Sequence, residues 1–156
     1  SLDVSIQARI INLLIDMKKK KNLSYLFVSH DLSVVRHISD RIAVMYLGQI
    51  VEMAETDELF TNTMHPYSIA LLSAVPRINL EQKVSRIVLK GDVPSPVDPK
   101  PGCRFAPRCW MACEECFKGE TPELREIRPG HFVACKFAEE SIKKAETAEK
   151  RSIDKV

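Results

Sequence analysis

Apolar positions in the first forty residues follow two rhythms. Between residues 5 and 20 they fall at Ile6, Ile10, Leu13, Leu14 and Met17, a three-and-four spacing that predicts a helix. Asp3 or Ser5 suits its start and Asn22 its end. The rhythm then breaks. Tyr25, Leu26, Phe27 and Val28 form a short continuous apolar run, predicted as a buried strand, which stops at Ser29-His30-Asp31. Helical spacing returns with Leu32, Val35 and Ile38 on one face of a helix beginning near Asp31 or Leu32. Two β-rich runs follow, residues 41–46 and 49–53, and the Leu47-Gly48 between them predicts a hairpin. Helix, strand, helix and strand ahead of a hairpin suit the trailing part of an α/β core.

Further along, Thr56-Asp57-Glu58-Leu59-Phe60 reads as a short helix with acids in its first turn. His65-Pro66 opens another, with proline at the first helical position and Tyr67, Ala70, Leu71, Ala74 and Val75 as its apolar side before Pro76 stops it. His65 is expected to be a helix-start residue satisfied by backbone rather than a reactive group. Residues 77–89 return to an irregular, strand-like pattern. Residues 91–102 hold Pro94, Pro96, Pro99 and Pro101 and must be an extended arm or linker, because proline blocks helix and ladder alike. Residues 139–156 alternate acids and bases with few apolar positions, as in a solvated helix that frays at its end.

Composition narrows the picture. With 156 residues the chain can bury one ordinary core, or a modest core with a small appendage. A formal charge of +2 gives no strongly basic nucleic-acid footprint, and Lys18-Lys19-Lys20-Lys21 suit a helix end, where cations offset the carbonyl dipole. No apolar stretch approaches the ~20 residues that span a bilayer. Any membrane association would therefore have to come through partner subunits.

The most informative residue is His30. An imidazole at the end of an apolar strand and just before a helix stands where open α/β sheets bind ligands. The words around it, Tyr25-Leu26-Phe27-Val28-Ser29-His30-Asp31-Leu32-Ser33-Val34-Val35, resemble the switch-histidine loop of an ABC-transporter ATPase. More narrowly they resemble the ATP-binding subunits of oligopeptide, dipeptide and nickel importers. The likeness runs on through Ser39-Asp40-Arg41-Ile42-Ala43-Val44-Met45-Tyr46-Leu47-Gly48-Gln49-Ile50-Val51-Glu52. It resumes in His65-Pro66-Tyr67 and in Lys90-Gly91-Asp92-Val93-Pro94-Ser95-Pro96, and it covers roughly residues 2 to 137. Leu2 and Asp3 resemble the last residues of the family's D-loop, which crosses the dimer interface.

By that resemblance His30 is the catalytic residue that reaches the γ-phosphate and helps hold the attacking water, with Asp3 and Ser29 beside it as cofactor-binding positions. No G-x-x-x-x-G-K-[ST] phosphate loop, glycine-rich signature or magnesium-site motif occurs, and the five glycines are scattered. The chain alone is therefore expected not to hydrolyse ATP, while the full-length protein would use ATP and Mg. The implied partners are a second ATP-binding subunit, two membrane-spanning permeases and, indirectly, a substrate-binding protein, at the cytoplasmic face of the membrane. Apolar faces left uncovered by a partial core favour self-association.

All five cysteines, Cys103, Cys109, Cys113, Cys116 and Cys135, lie between residues 103 and 135. Disulfides, zinc and an iron–sulfur cluster are the competing readings, and an odd number of thiols leaves one without a disulfide partner. Cys113 also creates a C-x2-C spacing with Cys116, which suits zinc or cluster ligation. The segment has few large apolar residues, and one that short normally needs a metal or cross-links to hold a fold. The resemblance implies a [4Fe–4S] cluster on Cys103, Cys109, Cys116 and Cys135, with zinc as the alternative, and it leaves Cys113 over. Arg104 and Arg108 would offset the cluster's negative charge.

The expected fold class is thus α/β: the C-terminal part of an ABC-type nucleotide-binding core followed by a small irregular cysteine-rich extension. Residues 1–63 would be core, 64–102 an importer-specific helix and connector, 103–137 the cysteine module and 138–156 a charged tail. The rival reading is a stand-alone metal- or Fe–S-binding module, redox-sensing or contacting nucleic acid, on a degenerate α/β platform.

Overall fold

The computed structural model describes residues 4–75, 86–95, 97 and 99–139. The chain divides into two compact units, Ser1–Asp40 and Arg41–Val156.

In the first unit, α1 spans Val4–Lys21 and carries its four lysines in the last turn, as the dipole favours. Asn22 takes a left-handed φ of 50°, and the Leu23 N–H donates to the Lys18 carbonyl, so the helix ends in a Schellman-type cap. The predicted apolar face differs from expectation: Ile11 is buried, whereas Ile6, Ile10, Leu13 and Met17 are exposed. A stripe is buried only where another surface covers it. The same reason corrects the strand predicted over residues 25–28. These residues are extended but form no ladder, with Leu26 96% and Val28 88% exposed. A strand is a pairing, and none of the described residues hydrogen-bonds to this stretch as a neighbouring strand. Helix α2, Leu32–Ile38, follows and buries Val35 and Ile38.

The second unit is built on a four-stranded sheet. Strands β1 (Arg41–Tyr46) and β2 (Gln49–Glu55) form the expected hairpin, and Leu47 and Gly48 turn it with φ of 46° and 75°. Positive φ at both central residues marks the type I′ turn that matches strand twist. Ile42, Val44 and Tyr46 alternate inward along β1. In β2 the register shifts between Val44 and Met45, so Val51 is an extra residue and both Val51 and Glu52 are buried.

Helices α3 (Thr56–Thr61) and α4 (Pro66–Ser73) come next. Pro66 opens α4 as predicted, and His65 caps it, its Nδ1 accepting from the Tyr67 N–H at 3.1 Å. The buried residues of α4 are Pro66, Ser68, Ala70 and Leu72 rather than the predicted set, because the helix ends at Ser73 and packs on more than one side. Residues 77–85 lie outside the described residues, and residues 86–90 form no strand. The described part of the proline-rich arm has neither helix nor strand. Most of the charged tail is likewise outside the described residues.

The sequence reading did not foresee β3 (Arg125–Arg128) and β4 (His131–Val133). Both join the hairpin's sheet in the order β1-β2-β4-β3, each pair antiparallel. The sheet of this mixed α/β chain is thus antiparallel throughout among the described residues. A small core of Met64, Val133 and Ala138 lies under it, with Ile127 and Cys135 packed against that core.

Candidate functional site

The histidine loop is held by its own backbone. Asp31 adopts an extended conformation at the N-cap of α2 and accepts from the N–H groups of Ser33 at 3.0 Å and Val34 at 3.3 Å. The Ser29 hydroxyl accepts from the Asp31 N–H at 3.0 Å. His30 sits between these two anchored residues and is exposed. A fixed backbone with a free imidazole suits a group that reaches for something outside this unit. Asp3 lies outside the described residues.

The cysteines are gathered by a chain of tight turns. Gly102 N–H donates to the Gly119 carbonyl and Cys103 N–H to the Cys116 carbonyl, both at 2.8 Å, which closes the segment on itself. Gly102 permits this at φ 87°: a Cβ there would lie 2.4 Å from the Cys116 carbonyl oxygen. Two short 3-10 turns, Ala106–Arg108 and Glu114–Phe117, aim the sulfurs. Phe105 fastens the segment to the hairpin. It is buried, with its ring 5.2 Å from Tyr46, 5.3 Å from Tyr67 and 5.8 Å from His65. The Arg104 guanidinium donates to the Leu47 carbonyl and so ties the segment to the hairpin turn.

Cys103, Cys109, Cys116 and Cys135 line one pocket of about 480 Å3, counted with its open mouth, alongside His65 and Phe105. Cys135 reaches it because β4 ends two residues earlier, and the Ala134 N–H is pinned to the Val51 carbonyl at 2.8 Å. Cys113 does not line the pocket; it is exposed, with its Sγ 3.6 Å from that of Cys116. No disulfide joins the described cysteines. Among the described residues, no group of three or more His, Cys, Asp or Glu side chains is drawn into metal-holding geometry.

Burial pushes the thiols of Cys103, Cys109 and Cys116 up, that of Cys109 to about 11. The Met111 N–H, which donates to the Cys109 Sγ at 3.4 Å, opposes that rise, while the neighbouring sulfurs add to it. These three half-buried thiols therefore resist ionising, and a nearby cation would favour their thiolates. Four thiols are chemically the donors that soft cations take, although the described side chains are not drawn together around one point. His65 beside the pocket is held neutral by burial, its value pushed down to about 3.

A second cluster lies beneath the sheet. Glu52 and His131 are fully buried, and His131 Nε2 lies 2.9 Å from Glu52 Oε1. His131 Nδ1 lies 3.1 Å from Glu58 Oε1, and Arg128 stands 3.7 Å from the same oxygen. Glu52 also accepts from the N–H groups of Met64 at 2.6 Å and His65 at 3.2 Å. Each imidazole nitrogen faces a carboxylate oxygen, an arrangement satisfied at both ends only when both carry protons. Burial opposes that charge, but Glu52 and Glu58 outweigh it and hold the His131 value above the ordinary histidine range. Hydrogen bonds from Asn62 and His131 hold Glu58 below the ordinary carboxylate range. Alternation in the sequence hides this cluster, since only the β2 bulge turns Glu52 inward.

Residues 51–116 match the family described as oligopeptide/dipeptide transporter, C-terminal region. The oligopeptide transport ATP-binding protein AppF of Bacillus subtilis is 55% identical over 137 residues, 86% of this chain and 41% of its own length. The dipeptide transport ATP-binding protein DppF of Haemophilus influenzae is 47% identical over 135 residues, 86% of this chain and 41% of its own length. YkfD of Bacillus subtilis is 52% identical over 153 residues, which is 96% of this chain. The chain belongs to the family of oligopeptide/dipeptide transport ATP-binding proteins.

It spans less than half the length of these curated relatives. The matched family region takes in Glu52, Glu58, His65, Cys103, Cys109 and Cys116, whereas His131 and Cys135 lie beyond it. In this family member, therefore, the strand that follows the matched region supplies the buried imidazole and leads to the fourth pocket cysteine. Among the described residues no helix is long and apolar enough to cross a membrane.

Proposed function

We propose that this chain serves as the carboxyl-terminal part of an ATP-hydrolysing subunit that powers peptide import. The observation that carries the reading is the 47–55% identity to ATP-binding proteins of peptide transport across most of the chain. His30, exposed on an anchored loop, is the group that meets the γ-phosphate in the complete subunit, and Ser29 and Asp3 flank the nucleotide. Phosphoryl transfer asks a protein mainly for position and charge stabilisation, so one well-placed imidazole has a large effect. ATP and Mg are bound by the complete subunit, which pairs with a second ATP-binding subunit and with permeases. The subunit is peripheral to the membrane. The solute is a peptide.

The test is His30→Ala in the complete subunit. Nucleotide binding should persist while hydrolysis falls by orders of magnitude. Equal loss of both would place His30 in folding and overturn the role.

The cysteine pocket is proposed as a metal centre held by Cys103, Cys109, Cys116 and Cys135. Its support is that these four, and not Cys113, line one cavity. A [4Fe–4S] cluster is the favoured occupant and zinc the second, because four thiolates suit both. When bound, the group supplies a cross-link among residues 103, 109, 116 and 135 that the sparse apolar content of the segment does not provide. The protein's own contributions are the Met111 N–H at Cys109, the Gly102 close approach and the Phe105 anchor. The irregular cysteine-rich segment, residues 103–137, is proposed to act as a structural extension of the transporter ATPase.

A further inference from the structure

Cys113 is the one cysteine that the proposed centre does not use, and its position is not neutral. It is exposed, and its sulfur is in van der Waals contact with that of Cys116, 3.6 Å away. The Cys116 N–H donates to the Cys113 carbonyl at 3.0 Å, so a hydrogen-bonded turn holds the two residues in register. Cys116 in turn faces the pocket shared with Cys103, Cys109 and Cys135. One sulfur is thus reachable from solvent, and its immediate neighbour belongs to the pocket.

We propose that Cys113 and Cys116 form a dithiol–disulfide pair that withdraws Cys116 from the pocket when it is oxidised. The oxidant is a low-molecular-weight disulfide. The Cys113 thiolate attacks one of its sulfurs, forms a mixed disulfide and expels one thiol. The Cys116 thiolate then attacks the Cys113 sulfur and expels the second thiol. Two protein thiols and one small disulfide become one protein disulfide and two small thiols, with two electrons passed to the oxidant. The sulfurs need close only from 3.6 Å to about 2 Å. The backbone bond from the Cys116 N–H to the Cys113 carbonyl already holds the two residues close. Cys109 and Cys103 are poorer entry points, since both are half-buried whereas Cys113 is exposed.

Oxidation would leave Cys103, Cys109 and Cys135 facing a pocket one ligand short. This consequence rests on the metal reading proposed above, whereas the pair itself does not. The fifth cysteine therefore sets the redox condition under which the pocket is complete.

The experiment has two arms. In the first, chelator-treated chain is incubated with oxidised glutathione, remaining thiols are trapped with N-ethylmaleimide, and the bonds are mapped by peptide fragmentation. The expected result is loss of two trappable thiols per chain, mapped to Cys113 and Cys116, absent in Cys113→Ala and retained in Cys109→Ala. No thiol loss, or a bond from Cys116 to Cys109 or Cys103, overturns the pair.

In the second arm, iron-reconstituted chain is given the same oxidant and iron release is followed by a chromogenic chelator. Wild type should release iron several-fold faster than Cys113→Ala, and equal rates overturn the link between the pair and the pocket. A chain that forms the Cys113–Cys116 bond but holds no iron or zinc supports the pair and refutes the metal centre.

Discussion

Replacing His131 by leucine is the sharpest test of the buried cluster. The substitution removes the partner of a carboxylate that is itself fully buried, leaving Glu52 with only the Met64 and His65 N–H groups as donors. Breaking a buried pair by removing one member costs ~3–5 kcal/mol, and the two remaining donors place the expectation near the lower end. A domain of this size has only about 5–15 kcal/mol of stability to lose. In urea, at a slope of roughly 2 kcal/mol/M, the midpoint should fall by about 1.5 M.

The double variant Glu52→Gln/His131→Leu removes the stranded charge and should recover part of the loss. The pH profile gives an independent reading. His131 has its value raised on folding, so its contribution is fully present below the unfolded histidine value, about 6.5, and is lost as pH rises through the folded value. Wild type should therefore lose stability as pH climbs above neutrality, and His131→Leu should not show that loss. A midpoint shift under about 0.3 M, or a double variant as unstable as the sum of the singles, would refute the account.

Three further outcomes are expected, the first of them from the proposed metal centre. Purified without oxygen, the chain should carry about four iron and four sulfide, and serine at Cys103, Cys109, Cys116 or Cys135 should reduce that sharply. Cys113→Ser should spare it; dependence on Cys113 with Cys116 dispensable would shift the ligand set by one residue. Gly102→Ala should destabilise the cysteine segment by about 1–3 kcal/mol, since a Cβ meets the Cys116 carbonyl in a left-handed conformation. Limited proteolysis between residues 103 and 119 reads this, and unchanged resistance counts against the close approach. The exposed Leu26 and Val28, with the uncovered face of α1, should drive concentration-dependent association, which sedimentation would detect. A monomer at every concentration would show these apolar residues to be tolerated at the surface.

What the sequence determined by itself was local. Helical spacing located α1 and α2, Asp31 marked the start of α2 and Pro66 that of α4. Leu47-Gly48 identified the hairpin, because a two-residue turn with positive φ is written in adjacent residues. The spacing of the cysteines singled out a candidate site, and the words around His30 marked a family. Tertiary structure decided whatever depends on a surface meeting another surface. The run at residues 25–28 has the composition of a strand, yet strand formation needs a partner that none of the described residues supplies. Strands β3 and β4 are too short and polar to announce themselves, and they form because the edge of β2 offers β4 a ladder and β4 offers one to β3. A one-residue bulge decides that Glu52 points into the core, which changes a surface carboxylate into the partner of a buried imidazole some eighty positions away. Likewise, sequence spacing left five thiols open to several ligand sets. Folding placed four around one pocket and set the fifth outside it, against Cys116, because turn geometry and the reach of β4 are properties of the assembled chain.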